Sequence, residues 1–300
     1  MKLEEIRRYD NLSLIAKGLI EGFMTGLHRS PYRGFSVEYA EHKMYNPGES
    51  TRHIDWRVFQ KTDRLYVKQY EEETNLRAYF LLDLSGSMYY PEPDWTKLRY
   101  AIYSISSLAY LLERQRDAIG LFGFAEKEEL RFPASTSFLH FRRLLDALSP
   151  YLDRKRRRQE KTNSVSIFHR IAEELPRRSL VIMFTDVFVP PEDRKDWALA
   201  LQHLKHQHRE VILFHVREER SEIALSMESR MHLFQHAEGT ERILIHPEEI
   251  RESYQKAILE AETWMTNCCG ELKISFLPIR VDEDFDKVFL ACLSKREKMV

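Results

Sequence analysis

Cysteine is nearly absent: Cys268, Cys269 and Cys292 are the only three among 300 residues. Three thiols, two of them adjacent, build no disulfide framework and fit a reducing compartment, so a cytoplasmic location is expected. Long apolar runs are missing as well. No stretch approaches the roughly 18 consecutive apolar residues of a membrane span, and the opening MKLEEIRRYDN carries Glu4 and Glu5 where a signal peptide needs an apolar core. Neither charge sign is in excess, with a formal net charge of −1, which argues against nucleic acid or another polyanion as partner. Catalytic signatures are lacking too. No glycine-rich phosphate loop or dinucleotide fingerprint follows a strand, and no Gly-x-Ser-x-Gly elbow occurs. No repeat or low-complexity tract interrupts the chain.

What remains is an ordinary globular composition, 43% hydrophobic and 31% charged, on a chain long enough to bury a substantial core. It is organised around Arg77 to Met88, RAYFLLDLSGSM. Ala78 to Leu82 is apolar throughout and stops at Asp83, the pattern of a strand covered on both faces. Further strands are expected over 118–124, 128–132, 180–185, 211–216 and 272–279. The strands at 118–124 and 128–132 are too close for a helical crossover and should pair as an antiparallel hairpin. Helical periodicity covers 11–28, 97–114, 138–148, 164–175, 197–206, 248–267 and 283–294. The alternation predicts an α/β fold with a doubly wound, mostly parallel six-stranded sheet and an N-terminal helix. Three regions are delimited: a helix and β-rich segment over 1–75, the core over 76–220, and a β insertion, long helix, last core strand and closing helix over 221–300. Short strand candidates at 223–225, 232–234 and 242–245 are expected to join those near 35–43 and 65–70 in a small β-rich subdomain.

In a doubly wound sheet, ligands bind beyond the carboxyl ends of the strands, where strand order reverses. Asp83 ends one buried strand and Asp186 follows another. Hydroxyls stand at alternate positions after Asp83, Ser85 and Ser87, on a turn containing Gly86. If the two strands are neighbours across the reversal, both carboxylates face one crevice, and the helix signalled by Thr162-Asn163-Ser164 starts on the same edge. Asp83, Ser85, Ser87, Thr162 and Asp186 are therefore the candidate metal ligands. All offer oxygen, without sulfur or imidazole, which points to Mg²⁺ or another hard cation such as Mn²⁺ or Ca²⁺. Two carboxylates leave coordination positions to water, and an Asp or Glu of a partner protein can take one of them, which is recognition without chemistry. The plain alternative is that Ser85 and Ser87 cap the turn while Asp83 accepts backbone donors. An aspartyl-phosphate enzyme needs a second carboxylate where Ser85 stands. A metal-dependent phosphohydrolase at the same residues is the runner-up.

Asp83-Leu-Ser85-Gly-Ser87-Met, with Thr162 and Thr185-Asp186, resembles the metal-ion-dependent adhesion site of von Willebrand factor type A domains. The preceding Asn46-Pro-Gly-Glu-Ser-Thr-Arg52-His-Ile-Asp55-Trp56, then Asp63 to Glu71, makes the chain similar over about residues 30–295 to the domain-of-unknown-function family 58. The resemblance implies a sheet ordered 3-2-1-4-5-6 with the hairpin strand at its edge. It also implies a cytoplasmic, non-enzymatic adaptor acting with a MoxR-type AAA+ ATPase in the assembly or maturation of client proteins. Many relatives carry N-terminal membrane helices; no such apolar run occurs in this sequence, so it looks like the form without a membrane span. Lys161 and Val187 stand where the family commonly has glycine, and the stretch from Tyr89 to Lys97 is longer than usual.

Arg52, Asp55 and Trp56 form either a partner surface or a lock that holds the β segment in place. The basic run Arg154 to Arg158 reads as a solvated loop, having no interleaved aromatics. His203, His206 and His208 lack a matching carboxylate or cysteine and are not assigned to a metal.

Overall fold

The computed structural model describes residues 11–29, 42–44, 66–68, 76–91, 95–125, 127–153, 164–226, 231–235 and 242–297. Thr162, Arg52, Asp55, Trp56 and Arg154 to Arg158 lie outside the described residues. The chain divides into two compact units, residues 1–23 with 76–299, and residues 24–75 with 300. Within the second, strands β1 (His42–Met44) and β2 (Tyr66–Lys68) pair antiparallel, His42 opposite Lys68.

The first unit is built on a six-stranded sheet of β3 (Arg77–Asp83), β4 (Ala118–Phe124), β5 (Glu128–Ser135), β6 (Ser179–Thr185), β7 (Glu210–Arg217) and β10 (Ser275–Arg280). Their order is β10-β7-β6-β3-β4-β5, which reads 3-2-1-4-5-6 when strands are numbered from Arg77 and viewed from the β5 edge. All pairs are parallel except the β4–β5 hairpin. The continuous apolar runs explain the interior positions: β4 and β6 are buried along their whole length, and β3 from Ala78 onward. β5, half-exposed and carrying Pro133, takes the edge, where a missing N–H costs no ladder bond. It runs to Ser135, three residues beyond the expected end, through a bulge opposite Ile119 to Leu121.

Gly120 stands at that bulge because nothing larger fits. A Cβ there would lie 2.5 Å from the Tyr79 ring and 3.0 Å from the Phe132 carbonyl oxygen. Gly120→Ala should therefore cost about 1–3 kcal/mol, the range for overpacked cores, read as a lowered urea midpoint at unchanged slope.

Side chains alternate across the sheet. Tyr79, Leu81, Val181, Met183 and Leu213 face a cluster with Phe168, Ile171, Trp197, Leu201 and Met265, from helices α5 (Ser164–Glu174), α6 (Arg194–Lys205) and α7 (Pro247–Glu271). The opposite face is covered by α2 (Lys97–Arg114) and α8 (Asp286–Glu297), while α3 (Phe138–Leu148) packs on α2 and β5. The N-terminal helix α1 (Leu12–Arg29) buries Ile15, Leu19, Ile20 and Phe23, the stripe seen in the sequence, and sets Phe23 edge-on to Phe289 at 5.2 Å. A one-turn helix, α4 (Pro150–Asp153), follows α3.

Two expectations fail. The strand expected at 223–225 does not form: residues 219–223 are a turn of π-helix, because the Glu218 carboxylate gathers the amides of Arg220, Ser221 and Glu222. Among the described residues, β8 (His232–Gln235) pairs with β9 (Arg242–Ile245), and no ladder joins them to β1 or β2 as expected. Among the described residues no helix is long and apolar enough to cross a membrane.

Candidate functional site

The strand order reverses between β3 and β6, whose register sets Leu82 opposite Phe184. Asp83 and Thr185 therefore leave the sheet side by side, with Asp186 one residue further on. The buried Thr185 hydroxyl donates to Asp83 Oδ2 at 2.6 Å and accepts the Val187 amide at 3.2 Å. Ser85 N–H donates to Asp83 Oδ1 at 2.9 Å, closing a tight turn, and Leu84 N–H holds the Phe124 carbonyl at 2.7 Å.

The hydroxyls do not cap the turn that follows. The 3₁₀ turn Gly86–Tyr89 has no side-chain cap from Ser85. Instead the Ser85 and Ser87 hydroxyls lie 3.0 Å apart, and Ser87 Oγ donates to Asp186 Oδ1 at 2.8 Å. Four of the five residues singled out in the sequence, Asp83, Ser85, Ser87 and Asp186, thus meet in one hydrogen-bonded group at the switch point. Asp83 is 5% and Ser85 3% exposed.

Burial, then the charge of Asp186, pushes the Asp83 carboxyl up to about 7, against the pull of its hydrogen bonds from Thr185 and Ser85. A cationic group answers that excess of negative charge. Lys97, the first residue of α2, is 0% exposed, and its Nζ lies 2.6 Å from Asp186 Oδ2 and 2.5 Å from Glu222 Oε1. Among the described residues Asp186 Oδ2 has no aligned hydrogen-bond donor, so this contact balances charge rather than satisfying the oxygen's geometry. Burial works against the ammonium, but Asp186 and Glu222 outweigh it and hold the lysine above its ordinary pKa. A cation at a helix N-terminus opposes the helix dipole, so the carboxylates are what keep Lys97 there. Glu222 is presented by the π-helical turn, which is fastened by Glu218 and by a hydrogen bond between the Tyr90 and Ser221 hydroxyls.

Lys97 and Glu222 carried no sequence signal. A lysine opening an amphipathic helix reads as solvated, and the 219–223 turn lies where the α/β rhythm breaks. Thr185 was visible as the polar end of LVIMFT and beside Asp186 in the adhesion-site resemblance, but not as the donor to Asp83.

The donor set suits a hard cation. Two carboxylates and two hydroxyls converge, and the Lys97 ammonium already stands in for positive charge beside Asp186. Among the described residues no group of three His, Cys, Asp or Glu is placed to hold a metal ion, so the two carboxylates here stand without a third carboxylate, imidazole or thiolate beside them. His203 instead meets His169, Nδ1 to Nδ1 at 3.0 Å.

Fold and site together define an α/β protein with a buried oxygen cluster at the switch point of a mostly parallel sheet. A family model described as "Protein of unknown function DUF58" matches residues 41–263, well over half of the chain, and the chain belongs to that family. Uncharacterized proteins of Mycobacterium tuberculosis and Mycobacterium bovis are each 24% identical to it over 138 residues. The match covers 46% of this chain and 44% of theirs, so the chain spans about half the length of these relatives. Among solved structures, a conserved hypothetical protein, BatB, from Bacteroides thetaiotaomicron aligns at 18% identity and TM-score 0.45, covering 74% of this chain and 99% of that one. The PilB minor pilin from Streptococcus sanguinis aligns at 10% identity and TM-score 0.47, covering 79% and 64%.

Proposed function

We propose that this chain is a non-enzymatic interaction module that holds Mg²⁺, or Mn²⁺ or Ca²⁺ in its stead, at Asp83, Ser85, Ser87 and Asp186, with Thr162 completing the set. A carboxylate of a protein partner fills a remaining position on the ion. The observation that carries this reading is the continuous group Asp83–Ser85–Ser87–Asp186, whose hydroxyls turn toward the second carboxylate instead of capping their own turn. The likeness of these residues to the adhesion site of von Willebrand factor type A domains supports it. The same likeness suggests a MoxR-type AAA+ ATPase as partner, in the assembly or maturation of client proteins, with Arg52, Asp55 and Trp56 on the partner-facing surface.

The electrostatics supply the test. The folded pKa of Asp83, about 7, lies above the ~3.9 of an unfolded aspartate. The cation-free fold then binds more protons than the unfolded chain between those values, and loses stability as pH rises through that window. A divalent cation favours the ionised carboxylate and opposes this loss. At pH 8, Mg²⁺ at a hundredfold excess over its Kd should stabilise the protein by about 2.7 kcal/mol. Asp83→Asn should be blind to Mg²⁺ and, in EDTA, more stable than the parent. A variant that responds to Mg²⁺ like the parent would end the proposal. Pull-downs with Mg²⁺ and with EDTA, read by mass spectrometry, test partner capture in parallel.

A raised aspartate pKa also suits a general base, which is the specific support for a metal-dependent phosphohydrolase as second reading. Against it, both Asp83 oxygens are engaged, by Ser85 N–H and the Thr185 hydroxyl, in a buried residue. Mg²⁺-dependent turnover of p-nitrophenyl phosphate, lost in Asp83→Asn, would decide for the hydrolase.

A further inference from the structure

Lys97 joins two parts of the chain that the sequence keeps apart, the oxygen cluster and the turn at 219–223. Its fully buried Nζ lies 2.6 Å from Asp186 Oδ2, 2.5 Å from Glu222 Oε1 and 5.8 Å from the centre of the Tyr90 ring. The contacts continue beyond Glu222. Its second oxygen, Oε2, accepts the Glu218 amide at 3.0 Å, and the Glu218 carboxylate holds the amides of Arg220, Ser221 and Glu222 and the Ser221 hydroxyl. Two carboxylates thus close the turn on itself, and one of them rests on the ammonium. Elsewhere the turn is held by neutral groups or from outside: the Tyr90 and Ser221 hydroxyls meet, and Arg251 and Gln255 of α7 donate to the Leu225 and Ala224 carbonyls at 3.2 and 3.4 Å. Glu222 and Ile223 also line a cleft of ≈ 490 Å³, together with Tyr254, Ile258 and Ala261 of α7.

We propose that Lys97 is a movable link between the cation site and this turn, with Glu222 as the positioning residue that receives it. The argument is one of charge. A sealed ammonium cannot retreat into water, and among the described residues Glu222 is the other carboxylate within ion-pair distance. In EDTA the ammonium is shared between Asp186 and Glu222. Lys97 must yield Asp186 to a divalent cation, because two positive charges at one oxygen repel. The ammonium then belongs to Glu222 alone, and Glu222, through Oε2, holds Glu218 and the turn more firmly. The two states differ in a named contact, which is what coupling between sites requires. Coupling is reciprocal, so loosening the turn must weaken the ion. This inference rests on the cation reading and adds to it that occupancy is felt at one wall of the cleft.

Amide hydrogen exchange and calorimetry on the whole chain test the link. In the parent, Mg²⁺ should slow exchange of the Arg220, Ser221 and Glu222 amides about fivefold relative to EDTA, the low end of the range for coupled sites. In Lys97→Met, which should still bind Mg²⁺, those amides should exchange at one rate with and without the ion. Glu218→Ala opens the turn without touching the cluster. It should weaken Mg²⁺ about fivefold more in the parent than in Lys97→Met, a comparison in which the lost charge of Glu218 cancels. Should Lys97→Met fail to fold, Glu222→Gln breaks the same link and takes its place in both measurements. Mg²⁺ that binds the parent without slowing the turn, or slows it equally in Lys97→Met, overturns the link and leaves the cation reading standing. No calorimetric binding of Mg²⁺ to the parent or to Lys97→Met overturns both.

Discussion

Replacing Lys97 with methionine is expected to cost about 3–4 kcal/mol of folding stability in EDTA. Removing one member of a buried ion pair leaves the other uncompensated, a loss of roughly 3–5 kcal/mol. Asp186 is in that position, with only 5% of its side chain exposed, while Glu222 at 27% keeps some access to water, which holds the figure to the lower part of the range. The informative part is the response to Mg²⁺. Methionine preserves the length and apolar stem of the lysine but not its charge, so a divalent cation at Asp186 no longer meets a competing ammonium. The variant should bind Mg²⁺ more tightly than the parent by calorimetry, and saturating Mg²⁺ should recover much of the stability lost. Denaturation curves showing the same deficit with Mg²⁺ as with EDTA would mean that ammonium and cation do not share Asp186.

Arg209→Leu is expected to be as damaging, by about 3–5 kcal/mol, for a purely structural reason. Arg209 is 1% exposed, and among the described residues its guanidinium faces carbonyl oxygens rather than a carboxylate. It donates to Ala172 and Leu175 at 2.8 and 2.5 Å, to Pro176 at 3.2 Å, and to His203 and Leu204 at 3.2 and 3.4 Å, with Gln207 Oε1 at 3.1 Å. These carbonyls lie in or just beyond the last turns of α5 and α6, where the helix dipoles favour a positive charge; His203 also accepts the His206 amide and Pro176 the Ser179 hydroxyl. Burial lowers the arginine's pKa, a cost the carbonyls offset. Leucine would strand several of them, each worth about 1–3 kcal/mol. Arg209→Lys keeps the charge but loses the planar fork, and should fall between. Urea unfolding measures both, and a loss below about 1 kcal/mol for leucine would refute the capping role.

The contrast between these residues marks what could be read from the amino-acid order. Asp83 and Asp186 were legible because each ends an unbroken apolar run, and parallel strands in one sheet must deliver their carboxyl ends to one edge. Ser85 and Ser87 followed from spacing alone. The helices were legible in type and misplaced by a few residues at their ends, as with α6, which begins at Arg194 instead of 197, because periodicity reports a buried face and not a cap. Lys97, Glu222 and Arg209 were not legible. Each is a charged residue whose partners are set by tertiary packing, and in sequence such residues look like solvated surface. The β-rich subdomain failed for a related reason: strand propensity names candidates but does not say which strands pair.

The oxygen cluster is assembled from positions very far apart: Thr185 reaches back 102 residues to Asp83, and Glu222 reaches 125 residues to Lys97. Closing such spans carries an entropic cost that only the finished sheet repays. A chain emerging from the ribosome therefore displays DLSGS long before Thr185, Asp186 and Glu222 exist to surround it. On the proposed cation reading, competence arrives only after β6 has docked beside β3 and the turn at 219–223 has been translated.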